Sequence, residues 1–280
     1  MARRFVVGTG WKMNLLARDV PPYAARLGER LRAMPPADID MFVLPPFTSL
    51  HAARVAFAGS PVRLGAQNMH WEASGAWTGE ISAAMLVEAG CTYVALGHSE
   101  RLAYFAETYD LVRRKASAAL RAGLTPILCV GESSDERQAG VADIALERQV
   151  GCVLEGCEHI ADVVIAYEPR WAIGQQQAAS VAYVADRHGA LRRFAASRYG
   201  DAVAQRLRII YGGSVTPANG AELIAGGADV DGLFIGRAAW TADGFAEMIA
   251  IVSAAATSAS DRLQQGRAEH GGAGSDPHSG

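Results

Sequence analysis

The sequence contains almost no lysine and carries no excess of positive charge. Lysine and arginine together account for 26 of its 280 residues, and 29 aspartate and glutamate residues bring the formal net charge to −3. Because no basic stripe is present, binding to nucleic acid or to a membrane surface is not expected. No apolar run approaches the roughly 20 residues of a membrane-spanning helix, and the start, MARRFVVGTGW, is too short and interrupted for a secretory signal.

Cysteine and nucleotide-binding motifs are also scarce. The four cysteines, Cys91, Cys129, Cys152 and Cys157, include no C-x-x-C pair of the kind that binds metals. We therefore expect reduced thiols in a cytoplasmic protein. No G-x-G-x-x-G motif follows the first candidate strand, so the sequence lacks the fingerprint of a dinucleotide-binding sheet.

What the sequence does contain is a regular alternation of two kinds of segment. Short runs rich in β-branched residues end at glycine or proline turns, and amphipathic segments rich in alanine, leucine and arginine lie between them. The strand candidates are FVVGTGW, MFVLPP, VRLGAQN, YVALGH, PILCVGE, VVIAYEP, RIIYGGS and GLFIGR. Their apolar residues do not alternate strictly, which is typical of strands buried on both faces of a parallel sheet.

Eight such units in one chain predict an α/β protein with a single domain, a closed (β/α)8 barrel over residues 1–257. An open doubly wound sheet is disfavoured, because polar residues follow almost every strand and are not confined to one switch point. From about Ser258 the sequence is rich in glycine, serine and polar residues. We expect residues 258–280 to form a disordered polar tail, because they cannot bury much apolar surface.

Polar side chains at the strand ends identify the candidate site, since catalytic residues of such barrels lie at the carboxyl ends of the strands. In chain order these side chains are Lys12, Asn68, His98, Glu132, Glu168, Ser214 and Arg237. The set brings a cation, a histidine and carboxylates to one rim, which suits proton transfer on a small substrate.

Three of these residues have an ordinary structural explanation beside the catalytic one. Lys12 is either a random surface lysine or a compact point charge in a chain where arginine is the default cation. His98 is either a hydrogen-bonded core histidine or a neutral proton shuttle at the start of a helix. Glu168 is either an ion-paired or capping glutamate or a base whose pKa is raised by burial. The segment after it, PRWAIGQQQAA, favours the base, because it has the composition of a hinge followed by a lid.

Two glycine-bearing turns predict a phosphate site. YGGSV spans residues 211–215 after the seventh strand, and IGR spans residues 235–237 after the eighth. In such barrels these are the usual places where backbone N–H groups and a helix N-terminus receive a phosphate. Each turn alone is weak evidence, because glycines also simply form turns, so the prediction depends on their consecutive placement.

Longer motifs resemble one known family. The segments WKMN, QNMHWEASGAWTGEIS, LGHSER, CVGE, AYEPRWAIG, YGGSV and DGLFIG occur between about residues 5 and 255 and closely resemble triosephosphate isomerase. The resemblance implies a TIM barrel and an aldose–ketose isomerase that works through an enediolate on a small phosphorylated sugar. It implies neither a cofactor nor a metal.

The resemblance also implies catalytic roles for four matching residues. Lys12 stabilises the developing oxyanion, and Glu100 supports the arrangement of Lys12 and His98. His98, as a neutral imidazole, polarises the carbonyl and moves protons between oxygens. Glu168 removes the carbon-bound proton and returns it to the adjacent carbon.

Further residues are implied in binding and assembly. The backbone amides implied in phosphate binding belong to Gly174, Ser214, Gly236 and Arg237. Tyr211 latches the closed lid. Thr78, in the long loop WEASGAWTGE, reaches the active site of a partner subunit, which implies a homodimer.

The sequence departs from the usual triose pattern near the substrate. Gly10 stands where an asparagine is usual, and Gln176 replaces a glycine of the lid. Arg237 replaces the second glycine of the last phosphate turn, and Leu102 replaces an arginine after HSER. The chain is more similar to the L-erythrulose-1-phosphate isomerase branch, which shares the GT-small-WKMN start and the DGLFIGR-x-AW ending.

Similarity to that branch implies isomerisation of L-erythrulose 1-phosphate to D-erythrulose 4-phosphate, a step of erythritol breakdown. The four-carbon substrate has an extra hydroxymethyl group on the carbon that loses its proton. A glycine at position 10 removes a side chain near that end and leaves room for the group.

Other functions stay open as alternatives. An ordinary glycolytic triosephosphate isomerase would interconvert dihydroxyacetone phosphate and D-glyceraldehyde 3-phosphate. A non-catalytic barrel that only binds a phosphorylated metabolite or a protein partner is disfavoured, because Lys12, His98 and Glu168 are all present. A metal-dependent aldolase or epimerase is not expected, since the seven histidines fall mostly on predicted helices, loops and the tail.

Overall fold

The computed structural model of the chain describes residues 3–35, 38–173 and 178–271, with side chains up to residue 258. Its centre is a closed barrel in which each strand pairs with the next and the eighth pairs with the first. All eight predicted strands are confirmed: β1 (Phe5–Gly10), β2 (Ile39–Leu44), β3 (Val62–Ala66), β4 (Cys91–Leu96), β5 (Thr125–Val130), β6 (Val164–Tyr167), β7 (Arg208–Tyr211) and β8 (Gly232–Ile235).

The pairing is parallel throughout the ring. In β1, Gly8 lies opposite Phe42 of β2 on one side and opposite Phe234 of β8 on the other. The strands β7 and β8 are joined at the register pair Tyr211 and Leu233. All carboxyl ends therefore face the same rim, where the predicted strand-end residues emerge.

Helices surround the barrel and cover the outer faces of the strands. They are α1 (Val20–Arg32), α2 (Leu50–Ala56), α3 (Ala83–Glu88), α4 (Ser99–Tyr104), α5 (Tyr109–Arg121), α6 (Ser134–Gln138), α7 (Ala142–Leu154), α8 (Val181–Tyr199), α9 (Asp201–Arg206), α10 (Pro217–Ala225) and α11 (Ala242–Gly271). Side-chain N-caps fix several starts: Ser82, Thr108 and Ser180 each accept a hydrogen bond from a backbone N–H in the first turn. No helix among the described residues is long and apolar enough to cross a bilayer.

Apolar side chains form two separate clusters. The larger one lies between the strands and the surrounding helices, and it explains why the strands lack strict alternation. The smaller one fills the inside of the barrel: Val6, Phe42, Leu44, Tyr93, Ala95, Ile127, Cys129, Val164, Ala166, Ile210 and Phe234. The barrel interior is thus a packed core, and its layer nearest the carboxyl ends of the strands forms the floor of the rim.

A buried ionic cluster fixes the opposite end of the barrel. Asp231, just before β8, pairs with Arg192 of α8 and with Arg3 before β1, each at 2.6 Å. Its Oδ2 also accepts a hydrogen bond from the N–H of Ile209 in β7 at 2.8 Å. Burial raises the pKa of Asp231, although both arginines oppose that shift. Because it lies at the amino ends of the strands, this cluster serves stability.

The end of the chain differs from the expectation. The composition predicts a disordered tail from residue 258, but α11 continues without a break to Gly271. The alanine-rich stretch before Ser258 provides a preformed helix on which further residues can be added at little cost, which the polar composition alone does not indicate. Residues 272–280 lie outside the described part of the chain.

Candidate active site

The structure brings the predicted lysine, histidine and glutamate together on the rim. His98 Nε2 lies 3.7 Å from Glu168 Oε2. On its other side, His98 Nδ1 lies 3.7 Å from Glu100 Oε2. Lys12 Nζ donates a hydrogen bond of 2.6 Å to Glu100 Oε1, so Glu100 connects the lysine to the histidine. Residues that follow β1, β4 and β6 thereby form one cluster.

Lys12 is held in an unusual backbone conformation. Its φ angle is +53°, in the left-handed region that non-glycine residues rarely adopt. The Gln67 side chain donates to the Lys12 carbonyl at 3.0 Å, and the Asn14 side chain donates to the Trp11 carbonyl at 2.9 Å. Such backbone strain persists only where the surroundings impose it, and it is concentrated at functional sites. The structure therefore favours a specific role for Lys12 over the random surface lysine.

His98 has a defined orientation at the start of α4. It is the residue that caps this helix, and its Nδ1 accepts a hydrogen bond from the N–H of Glu100 at 3.2 Å. Since Nδ1 accepts, a neutral imidazole in this position carries its proton on Nε2, the atom that faces Glu168. The ring can therefore donate a proton into the space beside the glutamate.

Glu168 is a buried carboxylate with an unsatisfied oxygen. The residue is only 4% exposed, and its Oε2 has no hydrogen-bond partner among the described residues. Burial raises the pKa of Glu168 above its ordinary value, while His98 and Lys12 oppose the shift. A buried carboxylate with one unpaired oxygen and a raised pKa is a stronger base than an ordinary surface glutamate.

Two glycines make room for Glu168. A Cβ atom at Gly131, after β5, would lie 1.8 Å from the carbonyl oxygen of Glu168. A Cβ atom at Gly212, after β7, would lie 2.6 Å from Cγ and 2.7 Å from Oε1 of the same residue. The motifs CVGE and YGGSV therefore carry glycine partly because the base occupies the space between β5 and β7.

The segment after Glu168 is attached to its neighbours by its first residues. Arg170 donates from Nε to the Gly131 carbonyl and pairs through Nη2 with Glu136 of α6, both at 2.9 Å. The guanidinium of Arg137 lies 3.7 Å from the centre of the Trp171 ring. Arg170 and Trp171 are thus held against α6. The predicted tip, residues 174–177, lies outside the described residues.

Glu132 organises this attachment and is not part of the reacting cluster. It is completely buried, and its Oε1 accepts hydrogen bonds from Tyr167, Trp171 and Tyr183 at 3.1, 2.7 and 2.9 Å. The sequence indicates Glu132 as a strand-end residue, but its three partners are not adjacent to it in the chain. Its structural role could not be inferred from that position alone.

The two turns predicted to bind phosphate lie next to one another after β7 and β8. Ser214 Oγ donates to the Ala172 carbonyl at 2.9 Å, so the first turn touches the segment after Glu168. Gly236 has open space where a side chain would begin, and Arg237 is exposed at the start of a short 3-10 helix that ends at Ala239. Gly174, the other amide implied in phosphate binding, lies outside the described residues.

Tyr211 is buried beneath the first predicted phosphate turn. Its hydroxyl lies so close to Gly213 that a Cβ atom there would be 2.0 Å away. Burial raises the pKa of Tyr211 to about 12, and the nearby backbone of Ala179 opposes the shift. Its hydroxyl has no hydrogen-bond partner among the described residues. Ala179 follows the predicted lid tip, so the tyrosine stands where a latch for that segment is expected.

The remaining candidates lie outside the reacting cluster. Asn68 accepts a hydrogen bond of 2.9 Å from Lys115, which is buried and also pairs with Glu107. Both lysines of the chain therefore have acidic partners: Lys12 pairs with Glu100 at the rim, and Lys115 pairs with Glu107 in the interior. Leu102 lines a narrow cavity beside Glu168, and Thr78 is exposed on the loop after β3.

In the part of the chain that the structure describes, no group of three or more histidine, cysteine, aspartate or glutamate side chains is arranged to hold a metal ion. The reacting cluster has the composition of a proton-transfer site: a desolvated base, a histidine with a fixed tautomer and a cation. A closed (β/α)8 barrel with such a rim has the groups that an isomerase needs to move protons on a small substrate.

Comparison with known proteins agrees. The family model described as "Triosephosphate isomerase" matches residues 5–252. The chain belongs to the triosephosphate isomerase family.

Individual relatives carry two different names. The L-erythrulose-1-phosphate isomerase of Rhizobium etli is 44% identical over 91% of this chain and 95% of its own. A triosephosphate isomerase of Symbiobacterium thermophilum is also 44% identical, over 89% of this chain and 97% of its own. The crystal structure of triosephosphate isomerase from Bartonella henselae superposes with a TM-score of 0.80 at 34% identity, covering 89% of this chain and 98% of that one. Percentage sequence identity alone therefore does not decide between the two names that these relatives carry.

Proposed function

We propose that the protein isomerises L-erythrulose 1-phosphate to D-erythrulose 4-phosphate. The observation that carries the choice of substrate is the open space at Gly10, at the end of β1. A Cβ atom there would meet only the ring of Phe234, at 3.6 and 3.8 Å. This space, two residues from Lys12, can receive the hydroxymethyl group that a triose phosphate lacks. Relatives of similar length that carry the four-carbon name support the choice.

The proposed reaction moves one proton between carbons and one between oxygens. Glu168 removes the proton from C3, and the electrons of the C–H bond form the C2–C3 double bond of an enediolate. The negative charge develops on the C2 oxygen, where Nε2–H of His98 donates and Lys12 attracts it electrostatically. His98 gives its Nε2 proton to the C2 oxygen, and the same nitrogen then takes the proton of the C3 hydroxyl, so that the C3 oxygen becomes the new carbonyl as Glu168 returns its proton to C2.

The phosphate is proposed to bind at the two turns after β7 and β8. The amides near Ser214, Gly236 and Arg237, with Gly174 from the lid, are the proposed donors. Tyr211 is proposed to latch the lid. Closure matters because an enediolate next to a phosphate-bearing carbon eliminates phosphate when it is exposed to water.

The alternative substrate pair is dihydroxyacetone phosphate and glyceraldehyde 3-phosphate, which is favoured by relatives that carry the triose name at similar identity. The test is to compare kcat/KM of the purified protein for L-erythrulose 1-phosphate and glyceraldehyde 3-phosphate. We expect at least a tenfold preference for the four-carbon substrate, about 1.4 kcal/mol in transition-state binding. A tenfold preference for the triose would reverse the assignment. Failure to exchange solvent deuterium into both L-erythrulose 1-phosphate and dihydroxyacetone phosphate would refute the isomerase chemistry.

We also propose a homodimer in the cytoplasm. The large exposed apolar side chains are concentrated on the segments after β1 to β4, which are neighbours around the ring: Met13, Leu16, Phe47, Trp77, Met85, Val87, Tyr104 and Phe105. Met13 is 95% exposed and Tyr104 78%. So much apolar surface on one side is typical of a subunit interface, and Thr78 lies within it. The four free cysteines fit a reducing compartment.

A further inference from the structure

The inward face of β1 loses its side chains toward the rim. Side chains of a strand point to alternate faces, so Val6, Gly8 and Gly10 share the face that lines the barrel interior. Val6 belongs to the inner cluster, but the next two inward positions are glycines. The inside of the barrel beneath Lys12 must therefore be filled from other strands.

Two aromatic rings fill this space. A Cβ atom at Gly8 would lie 2.1 Å from the Phe42 ring, so that ring occupies the position directly. Phe234 of β8 lies beside Phe42, with 5.7 Å between ring centres, and its far edge reaches the level of Gly10. Phe42 in turn packs on Tyr93 at 4.9 Å. Phe234 is thus the upper member of an aromatic group, 7% exposed.

The two contacts differ in a way that matters for a ligand. At Gly8 the ring excludes any side chain. At Gly10 the ring stands at ordinary van der Waals distance, so the position next to it is empty but walled. Phe234 lies two residues before Gly236 of the proposed phosphate turn, and Gly10 lies two residues before Lys12. The walled space therefore lies between the two strands that lead to Lys12 and to the proposed phosphate turn.

We infer that Gly10 and Phe234 together form the wall that receives the terminal hydroxymethyl group of the four-carbon substrate. The methylene packs against the edge of the Phe234 ring, in the volume that Gly10 leaves free. This inference rests on the proposed function and names the residues that select the longer substrate. The three-carbon substrate ends before the wall and does not touch it.

The experiment uses Gly10→Ala and Phe234→Leu, assayed as kcat/KM on both substrates. Gly10→Ala fills the space, and the fold accepts it because the new methyl group makes only ordinary contacts. Phe234→Leu withdraws the wall. One methylene in an apolar pocket changes specificity by about 10–200-fold, so each variant should lower kcat/KM for L-erythrulose 1-phosphate at least tenfold. For glyceraldehyde 3-phosphate we expect a change below about threefold.

The matched control is Phe42→Leu. It removes the same atoms from the same inner cluster, but its ring lies beneath Gly8 and does not adjoin the proposed pocket. It should lower the melting temperature as much as Phe234→Leu does and affect the two substrates equally. In the double variant Gly10→Ala/Phe234→Leu, the second change should lower kcat/KM for L-erythrulose 1-phosphate less than it does alone, because both changes act on one hydroxymethyl group.

Each outcome supports or overturns the inference. If the wild-type protein prefers the four-carbon substrate but Gly10→Ala and Phe234→Leu slow both substrates by the same factor, the wall is refuted while the proposed function stands. If the wild-type protein prefers the triose tenfold, the proposed substrate fails and the inference fails with it. If Phe42→Leu discriminates between substrates as strongly as Phe234→Leu, the effect comes from general loosening of the barrel.

Discussion

At the scale of single residues, the site is defined by a glutamate whose ionised form is disfavoured by burial in the fold. Glu168 has no hydrogen-bond partner for Oε2 among the described residues, and two glycines are needed to accommodate it. Its raised pKa means that the folded state holds a proton on this group more tightly than the unfolded chain does. Its contribution to stability is therefore present below the ordinary carboxyl pKa and lost as the pH rises through the raised value.

Glu168→Gln should therefore remove activity and increase stability at neutral pH. We expect kcat to fall by about 10²–10⁴, the usual worth of a general base. The melting temperature at pH 8 should rise by about 2–4 °C, the increase that roughly 1 kcal/mol of added stability produces in a domain of this size. The gain should fall as the pH drops through 4 and vanish near pH 3, where the carboxyl group is protonated in the folded and the unfolded chain alike. Calorimetry at both pH values measures this.

The control for that prediction is Glu136→Gln. Although burial alone would raise it, hydrogen bonds from Ser133 and the Arg170 guanidinium hold the pKa of Glu136 below its ordinary value. Its contribution to stability is present above the ordinary carboxyl pKa and lost as the pH falls through the lowered one, so this variant should melt lower at pH 8. A Glu168→Gln variant that also melts lower at pH 8 would contradict our account of the buried base.

At the scale of elements, helix α6 and the segment after β6 act together. Arg170 joins them through Glu136, and Trp171 joins the same region through Glu132. These contacts hold the residues that begin the proposed lid. We therefore expect the closure proposed for this segment to depend on how firmly α6 holds its start.

Arg170→Leu should lower kcat/KM about tenfold, because it removes a charge-assisted contact and a hydrogen bond worth roughly 1.5–3 kcal/mol, part of which is used in positioning the lid. Steady-state kinetics with the preferred substrate measures the effect. Arg148→Ala is the control: Arg148 also pairs with Glu136, at 3.1 Å, but it lies on α7 and is largely exposed. Equal kinetics for the two variants would show that the Arg170 contact does not position the lid.

The elements themselves were largely predictable, and the interactions between them were not. Each strand could be predicted because its apolar run and its glycine or proline turn are adjacent in sequence. Lys12, His98 and Glu168 could be expected to meet because every strand of a parallel barrel ends at one rim. The three donors of Glu132 and the lysine that engages Asn68 come from distant elements, so no local pattern indicated them. The extension of α11 to Gly271 depends on the helix before it and contradicts the composition of the tail.

At the scale of the whole molecule, one side of the ring is unlike the rest. The loops and short helices after four consecutive strands expose aromatic and aliphatic side chains, and Thr78 is exposed on one of these loops. In a monomer this surface would face water at a considerable cost in free energy. Pairing of two subunits through it would also bring each long loop toward the other rim.

The dimer predicts a solution mass of twice the 29.6 kDa of one chain, measurable by light scattering. Thr78→Arg should shift the protein to the monomeric mass and lower activity at least tenfold, since a buried unpaired charge at an interface is costly. Ile144→Arg is the matched control, because Ile144 is also exposed but lies on α7, away from these loops. A protein that is monomeric and fully active before any substitution would exclude the dimer.

The joint between β7 and β8 has a consequence for the folded state. These two strands meet at a single register pair, and each of them ends in one of the proposed phosphate turns. A phosphate bound by both turns would connect the carboxyl ends of the two neighbouring strands that share the fewest pairs. Bound substrate would then hold β7 and β8 together and stabilise the closed barrel during the reaction.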